Sequence, residues 1–246
     1  MLKFFRKIRQ RLLTESKFSK YLIYAIGEII LVVIGILIAL QINNWNEDRK
    51  DLGKGYEIMK EIKENLEFNN EEFTKEIKEE QSVIHSIDIV LENLKLNQGE
   101  HDSLGFHYLN VAYWPTFVKK SSGYENLKSQ GVEIIKSTTL RKAIIDLYES
   151  KYEQAAEVVR TSENNAAATM WPMFTALFET HRSVPNQPFE SLKLSPFDYD
   201  ALVKSQSYIG FLSWWRHSRI VGIETRTKAI EQNNLVLKML SKEIDQ

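Results

Sequence analysis

Acids, histidines and arginines with ligating or proton-handling potential cluster at three places in the chain. The first is a lone acid in a long apolar run: residues 25–40 read AIGEIILVVIGILIAL, and Glu28 is the one charged group. The second is GEHDSLGFH, which gathers Glu100, His101, Asp102 and His107. All four are metal-ligand types, but they lack the H-x-x-x-H order that puts two ligands on one helix face. They read as a solvated loop, and no metal centre is expected. The third is WWRHSR, where Trp214, Trp215, Arg216, His217 and Arg219 fall on one predicted helix. Guanidinium forks beside aromatic rings can hold a carboxylate, a phosphate or a glycan. Trp214, Arg216, His217 and Arg219 are therefore the candidate ligand or partner patch. The competing assignment, which is favoured, packs Trp215 in the core and pairs Arg216 and Arg219 with acids of the first helix.

No reaction signature accompanies these groups. There is no G-x-S-x-G elbow, no phosphate-binding glycine loop, no H-E-x-x-H and no dinucleotide fingerprint. The absence of cysteine removes disulfides, thiolate metal sites and a thiol nucleophile. Lys and Arg number 32 against 33 Asp and Glu, so no overall field attracts nucleic acid or an acidic substrate. No catalytic residue, cofactor or nucleic-acid partner is expected, and the chain reads as non-enzymatic.

The element that carries Glu28 is a membrane anchor. From Tyr21 to Ile42 it is the only charge, and at about 1.5 Å per residue this stretch spans a bilayer core of roughly 30 Å. The run is longer than the apolar region of a signal peptide and ends IALQINNWNED, with no A-x-A-like cleavage site. Residues 1–20 hold seven basic groups against the single acid Glu15, leaving 25 basic and 32 acidic residues elsewhere. The positive-inside rule then places the N-terminus in the cytoplasm and the rest of the chain across the membrane. Within the basic segment, Leu2, Phe5, Ile8 and Leu12 recur at helical spacing among Lys3, Arg6, Lys7, Arg9 and Arg11. That pattern suits a short helix on the anionic lipid face, although charges that merely set topology account for it as well.

An acid inside a span costs on the order of 3 kcal/mol, so it needs a reason to be there. At about 100° per residue, Glu28 shares its helix face with Ala25, Leu31, Val32, Gly35 and Ala39. Small residues let helices approach closely, and a polar side chain can bond across the contact. The expected partner is a second copy or another membrane subunit. The plainer alternative has the carboxyl reach nearby headgroups with no further role, and proton carriage is a third reading.

The stretch KFFRKIRQRLLTESKFSKYLIYAIGEIILVVIGILIALQINNWNEDRK resembles the N-terminal signature of a family of small membrane proteins common in Bacteroidota, with a weaker echo in GYENLKSQG. The resemblance implies a Gram-negative inner-membrane protein with a periplasmic domain. That family has no assigned activity, so it transfers no site residues.

Beyond Gly53 and Gly55 the pattern turns helical. Met59, Ile62, Leu66, Phe73, Ile77, Ile84, Ile87, Leu91 and Leu94 step by threes and fours, with Asn69 and Glu80 in the gaps. This predicts one helix of about 40 residues. YENLKSQG reads as a short helix stopped by Gly131. A second long helix starts at Thr138 or Thr139 and runs to Leu177, kinked or split at Pro172. SVPNQPFESLKLSP reads as a connector, and Phe197 to Asp245 as a short helix followed by a third long one. Tyr108, Tyr113, Trp114 and Phe117 are expected to close the core over its loops or to line a pocket. The fold expected is all-α: a cytoplasmic segment (1–20), a transmembrane helix (21–42) and a periplasmic antiparallel bundle of about three long helices with short auxiliary ones (43–246), with no strand. A scaffold for a cell-envelope complex is the leading role, a ligand-sensing helical domain that signals through a partner is the alternative, and an envelope enzyme of unrecognised type is the remote one.

Overall fold

The computed structural model describes residues 18–113, 116–182 and 192–245. The basic segment with Lys3, Arg6, Lys7, Arg9 and Arg11, and also Trp114, Pro115 and most of the three-proline connector, lie outside these. The chain divides into two compact units, residues 1–54 and 55–246. Its described elements are helical save for one hairpin.

The first helix, α1, is continuous over 79 residues, Phe18–Leu96. The expected restart after Gly53 and Gly55 does not occur. Glycine inside a helix costs about 1 kcal/mol relative to alanine, too little to break one built from Glu, Lys, Leu and Met. Gly55 instead has a packing role, since a Cβ there would lie 2.9 Å from the Ile134 carbonyl oxygen. In the first unit, every residue of α1 from Ile29 to Trp45 is exposed. This is the one helix among the described residues long and apolar enough to cross a membrane.

The second unit contains the remaining elements. They are α2 (Leu104–Val111), α3 (Ser122–Gln130) and a 3₁₀ turn (Val132–Ile134), then α4 (Thr138–Asp146), a π turn (Leu147–Lys151) and α5 (Tyr152–Leu177). Strands β1 (Phe178–Arg182) and β2 (Leu192–Pro196), α6 (Tyr199–Lys204) and α7 (Gln206–Ile244) complete it. Gly131, at φ 93°, takes the left-handed conformation that stops α3. Pro172 does not end α5, which continues to Leu177. The acceptor that proline orphans, the Ala168 carbonyl, belongs to an exposed residue and can turn to water.

The hairpin corrects the expectation of no strand. β1 and β2 pair antiparallel, from Phe178 opposite Pro196 to Arg182 opposite Leu192. Each strand is five residues long, too short for alternation to show more than one apolar repeat. Tertiary cover decides it: Gly105 lets α2 close on β2, where an added Cβ would stand 3.1 Å from the Leu194 carbonyl.

Side-chain pairs fall in opposite order along α1 and α7: Asn70 with Asn234, Glu76 with Arg226, Glu80 with Arg219, Asp88 with Arg216. The two helices therefore run antiparallel. Two apolar cores lie along them. One contains Ile62, Leu66 and Phe73 of α1, Leu127 of α3, Ile144 of α4 and Ala229, Val236 and Leu240 of α7. The other joins Val83, Ile87 and Val90 of α1 to Tyr108, Met170, Phe174, Leu194, Leu212 and Trp215. Between them, on both helices, the inward positions are charged.

Candidate functional site: a buried charged layer and the recess beside it

The charged layer follows from the spacing of the inward positions. Along α7 these are Tyr208, Leu212, Trp215, Arg219, Gly222, Arg226, Ala229, Asn233, Val236 and Leu240, alternating steps of four and three. Along α1 the series Met59, Ile62, Leu66, Asn69, Phe73, Glu76, Glu80, Val83, Ile87, Val90 and Leu94 alternates in the same way. This is the seven-residue period of helices packed side by side. Continuing it forces Glu76, Glu80, Arg219 and Arg226 inward, where each is at most 4% exposed.

These four side chains pair with one another. Arg226 Nε donates to Glu76 Oε2 at 2.6 Å, and its Nη1 donates to Glu80 Oε1 and to the Gly222 carbonyl, both at 3.2 Å. Arg219 Nη1 lies 3.2 Å from Glu80 Oε2, and its Nη2 donates to Ser162 Oγ of α5 at 2.9 Å. The Arg219 guanidinium also stacks on Trp215, 3.8 Å from the ring centroid. Gly222 leaves the room the layer needs, since a Cβ there would meet Glu80 Oε1 at 2.6 Å. Two anions face two cations, so the layer is neutral, as buried ions must be to avoid a penalty of several kcal/mol each. Burial still pushes the Glu80 carboxyl up to about 7 against the pull of Arg219 and Arg226. It raises Glu76 and lowers Arg219 for the same reason.

The buried polar groups of α1 also hold an extended segment that has no ladder of its own. Val118 N–H donates to Glu76 Oε1 at 3.0 Å, Lys120 N–H to Asn69 Oδ1 at 2.7 Å, and Gly123 N–H to Asn65 Oδ1 at 2.9 Å. Asn69 returns a bond to the Lys120 carbonyl, and Arg226 Nη2 donates to that of Thr116. Tyr152 joins Asn69 to Asn233 of α7 through its hydroxyl. The GYENLKSQG motif begins where this strap ends. Gly123 packs its Cα against the α1 backbone, and Tyr124 stacks on Tyr148 and donates to Glu149 at 2.7 Å.

On one flank of the layer a recess of about 220 Å³ opens between α5 and α7, floored by Glu80 and Arg219 and rimmed by exposed Trp214 and His217. Three of the four patch residues thus meet at one place. Arg216 does not join them: it pairs with Asp88 of α1, Nε to Oδ1 at 2.7 Å, on the surface. Trp215 is fully buried and donates from Nε1 to the Val111 carbonyl at 2.9 Å. Spacing alone did not single out Glu76 and Arg226; following the seven-residue alternation through the apolar positions would have found both.

The remaining candidates are dispersed. His107 Nδ1 lies 3.0 Å from Ser86 Oγ and His101 Nδ1 lies 2.7 Å from Ser103 Oγ. Among the described residues no group of three metal-ligand side chains converges. Tyr108 sits in the second core, Phe117 stacks on Phe73 in the first, and the Tyr113 hydroxyl donates to Glu79. In the first unit Ala25 and Glu28 are half-buried, while Leu31, Val32, Gly35 and Ala39 are exposed.

Together these features define a helical protein with one candidate membrane span and a charged layer sealed inside its second unit. The chain belongs to the family of unknown function DUF6090, which matches residues 28–165. That range includes Glu28, Glu76, Glu80 and Ser162 and stops short of Arg219 and Arg226. No curated protein and no solved structure matches the chain.

Proposed function

We propose that this chain is a non-enzymatic, single-pass protein of the bacterial inner membrane whose span associates with a second span. The contact face is Ala25, Glu28, Leu31, Val32, Gly35 and Ala39, and the partner is an identical copy or another membrane subunit. Residues after the span lie in the periplasm, where the helical unit scaffolds or modulates a cell-envelope complex. One observation carries the reading: Leu31, Val32, Gly35 and Ala39, on the helix face that Glu28 shares, are all exposed. Small residues on such a face let a second helix approach closely. Gly35 leaves space for such a helix, since a Cβ there meets nothing within 4 Å.

The test is the mass of the full chain purified in mild detergent. An oligomer or a copurifying membrane protein is expected. Glu28→Leu and Gly35→Leu should each weaken that assembly, and among the described residues nothing lies within 4 Å of a Cβ at position 35 to account for the second effect. A monomer free of partners would end this reading.

A further inference from the structure

The hairpin leaves one edge of its backbone unpaired. Its sheet has two strands, so among the described residues β1 has β2 on one side and no strand on the other. The register decides which groups face outward. Phe197 N–H donates to the Leu177 carbonyl at 3.0 Å, and bonding of this kind recurs at every second residue of an antiparallel pair. Glu179 and His181 therefore bond to Ser195 and Lys193, while Pro196, which has no N–H to give, stands opposite Phe178 in an unbonded position. The N–H and carbonyl of Thr180 then point away from β2, and Thr180 is an exposed residue.

Beside this edge a pocket of about 320 Å³ opens between the hairpin, α2 and α5. Phe178, Thr180 and Leu194 all line it, so it lies on the hairpin face to which these alternate residues point. Phe174 of α5 adds to its apolar wall, and Tyr113 and Trp171, 44% and 48% exposed, stand where it meets solvent. No charged side chain lines it among the described residues. An ionised group would therefore leave water there without a counter-charge, at a large cost.

We propose that β1 takes up a short extended peptide of another chain as a third strand, with one uncharged apolar side chain seated in this pocket. The peptide residue opposite Thr180 accepts from its N–H and donates to its carbonyl. Residues directly opposite one another in a sheet point to the same face, so the side chain of that residue enters the pocket. Strand edge and pocket together select this occupant. A lipid chain or a small apolar molecule would fill the pocket and leave the Thr180 backbone unmatched. A folded partner, a second copy included, needs about 800 Å² on each side for a stable contact. A five-residue strand about 17 Å long is too short to supply it, whereas strand addition with one anchoring pocket suits a short segment.

The test is calorimetric titration of the full chain in lipid nanodiscs, where no free detergent competes for an apolar pocket. The probes are the peptides acetyl-Ser-Thr-X-Thr-Ser-amide, with leucine, phenylalanine, tryptophan or aspartate at X. At least one of the three apolar peptides should bind saturably at millimolar concentration or below, and the aspartate peptide at least tenfold more weakly. Methylating the backbone nitrogen of X removes the donor to the Thr180 carbonyl and should also weaken binding at least tenfold, which filling of a pocket alone would not do. On the protein side, Thr180→Pro removes the outward N–H and spares the bonds to β2, and Thr175→Trp fills the pocket from an exposed position on α5. Each should abolish binding with the helical circular dichroism unchanged. The proposal is overturned if no apolar peptide binds the folded chain, if the aspartate or the N-methylated peptide binds as well as the best of them, if toluene or indole alone does so, or if binding survives either substitution.

Discussion

Glu80 shows how one buried side chain ties stability to pH. Its folded value is near 7 against an ordinary 4.5, so the folded chain holds the proton more tightly than the unfolded one. The stability linked to this group is complete below about pH 4.5 and is lost as pH rises through 7. The full swing is on the order of 3 kcal/mol. Glu76, raised in the same direction and facing the same two arginines, adds to it. Glu80→Gln should therefore flatten the fall of the urea midpoint between pH 5 and 7 without removing it altogether. Parallel wild-type and mutant curves would show that Glu80 carries no such linkage. The sign is opposite to that of a surface carboxylate held by a cation, such as Glu153 beside Lys119, whose pairing lowers its value.

At the scale of elements, the strap from Thr116 to Lys120 depends on side chains borrowed from α1. Asn69→Ala removes both bonds to the Lys120 backbone and the link to Tyr152. It should cost about 1–3 kcal/mol, and limited proteolysis should then cut within the strap before the rest of the unit unfolds; uncut strap would mean that aromatic packing of Phe117 holds it alone. Much of this organisation was legible in the sequence. The stop at Gly131 and the short and long C-terminal helices fall where the sequence pattern put them, whereas Thr138, expected as a cap, is the first residue of α4 and Ser137 precedes it without a side-chain cap bond. The inward face of α1 was read too literally, by apolar residues alone. Ile77, Ile84 and Leu91 are only partly buried, while Glu76, Val83 and Val90 take the seam. A charged residue can hold a core position when another element supplies its counter-charge, and no local pattern on α1 announces Arg226. The hairpin was illegible for a related reason, since its cover comes from α2, far away along the chain.

For the whole molecule, the candidate span and the sealed charged layer belong to separate units, and each is open to its own test. Topology is the simplest. The chain lacks cysteine, so single cysteines replacing Ser16 and the exposed Lys242 should react with impermeant maleimide from opposite sides of the membrane. Labelling of both from one side would mean that the chain does not cross the membrane between them. A last consequence concerns chain length. Leu140, Ile144 and Leu147 follow one inward series, and Tyr148, Tyr152, Ala155 and Val159 follow another displaced by one residue, with the π turn at their junction. A widened turn of this kind takes up one residue more than a regular helix would. Gain or loss of a residue in α1 or α7 would rotate everything downstream by about 100° and pull the acids away from their arginines. Between Leu147 and Lys151, loss of one residue would instead turn the widened turn into a regular one and leave both inward series in step.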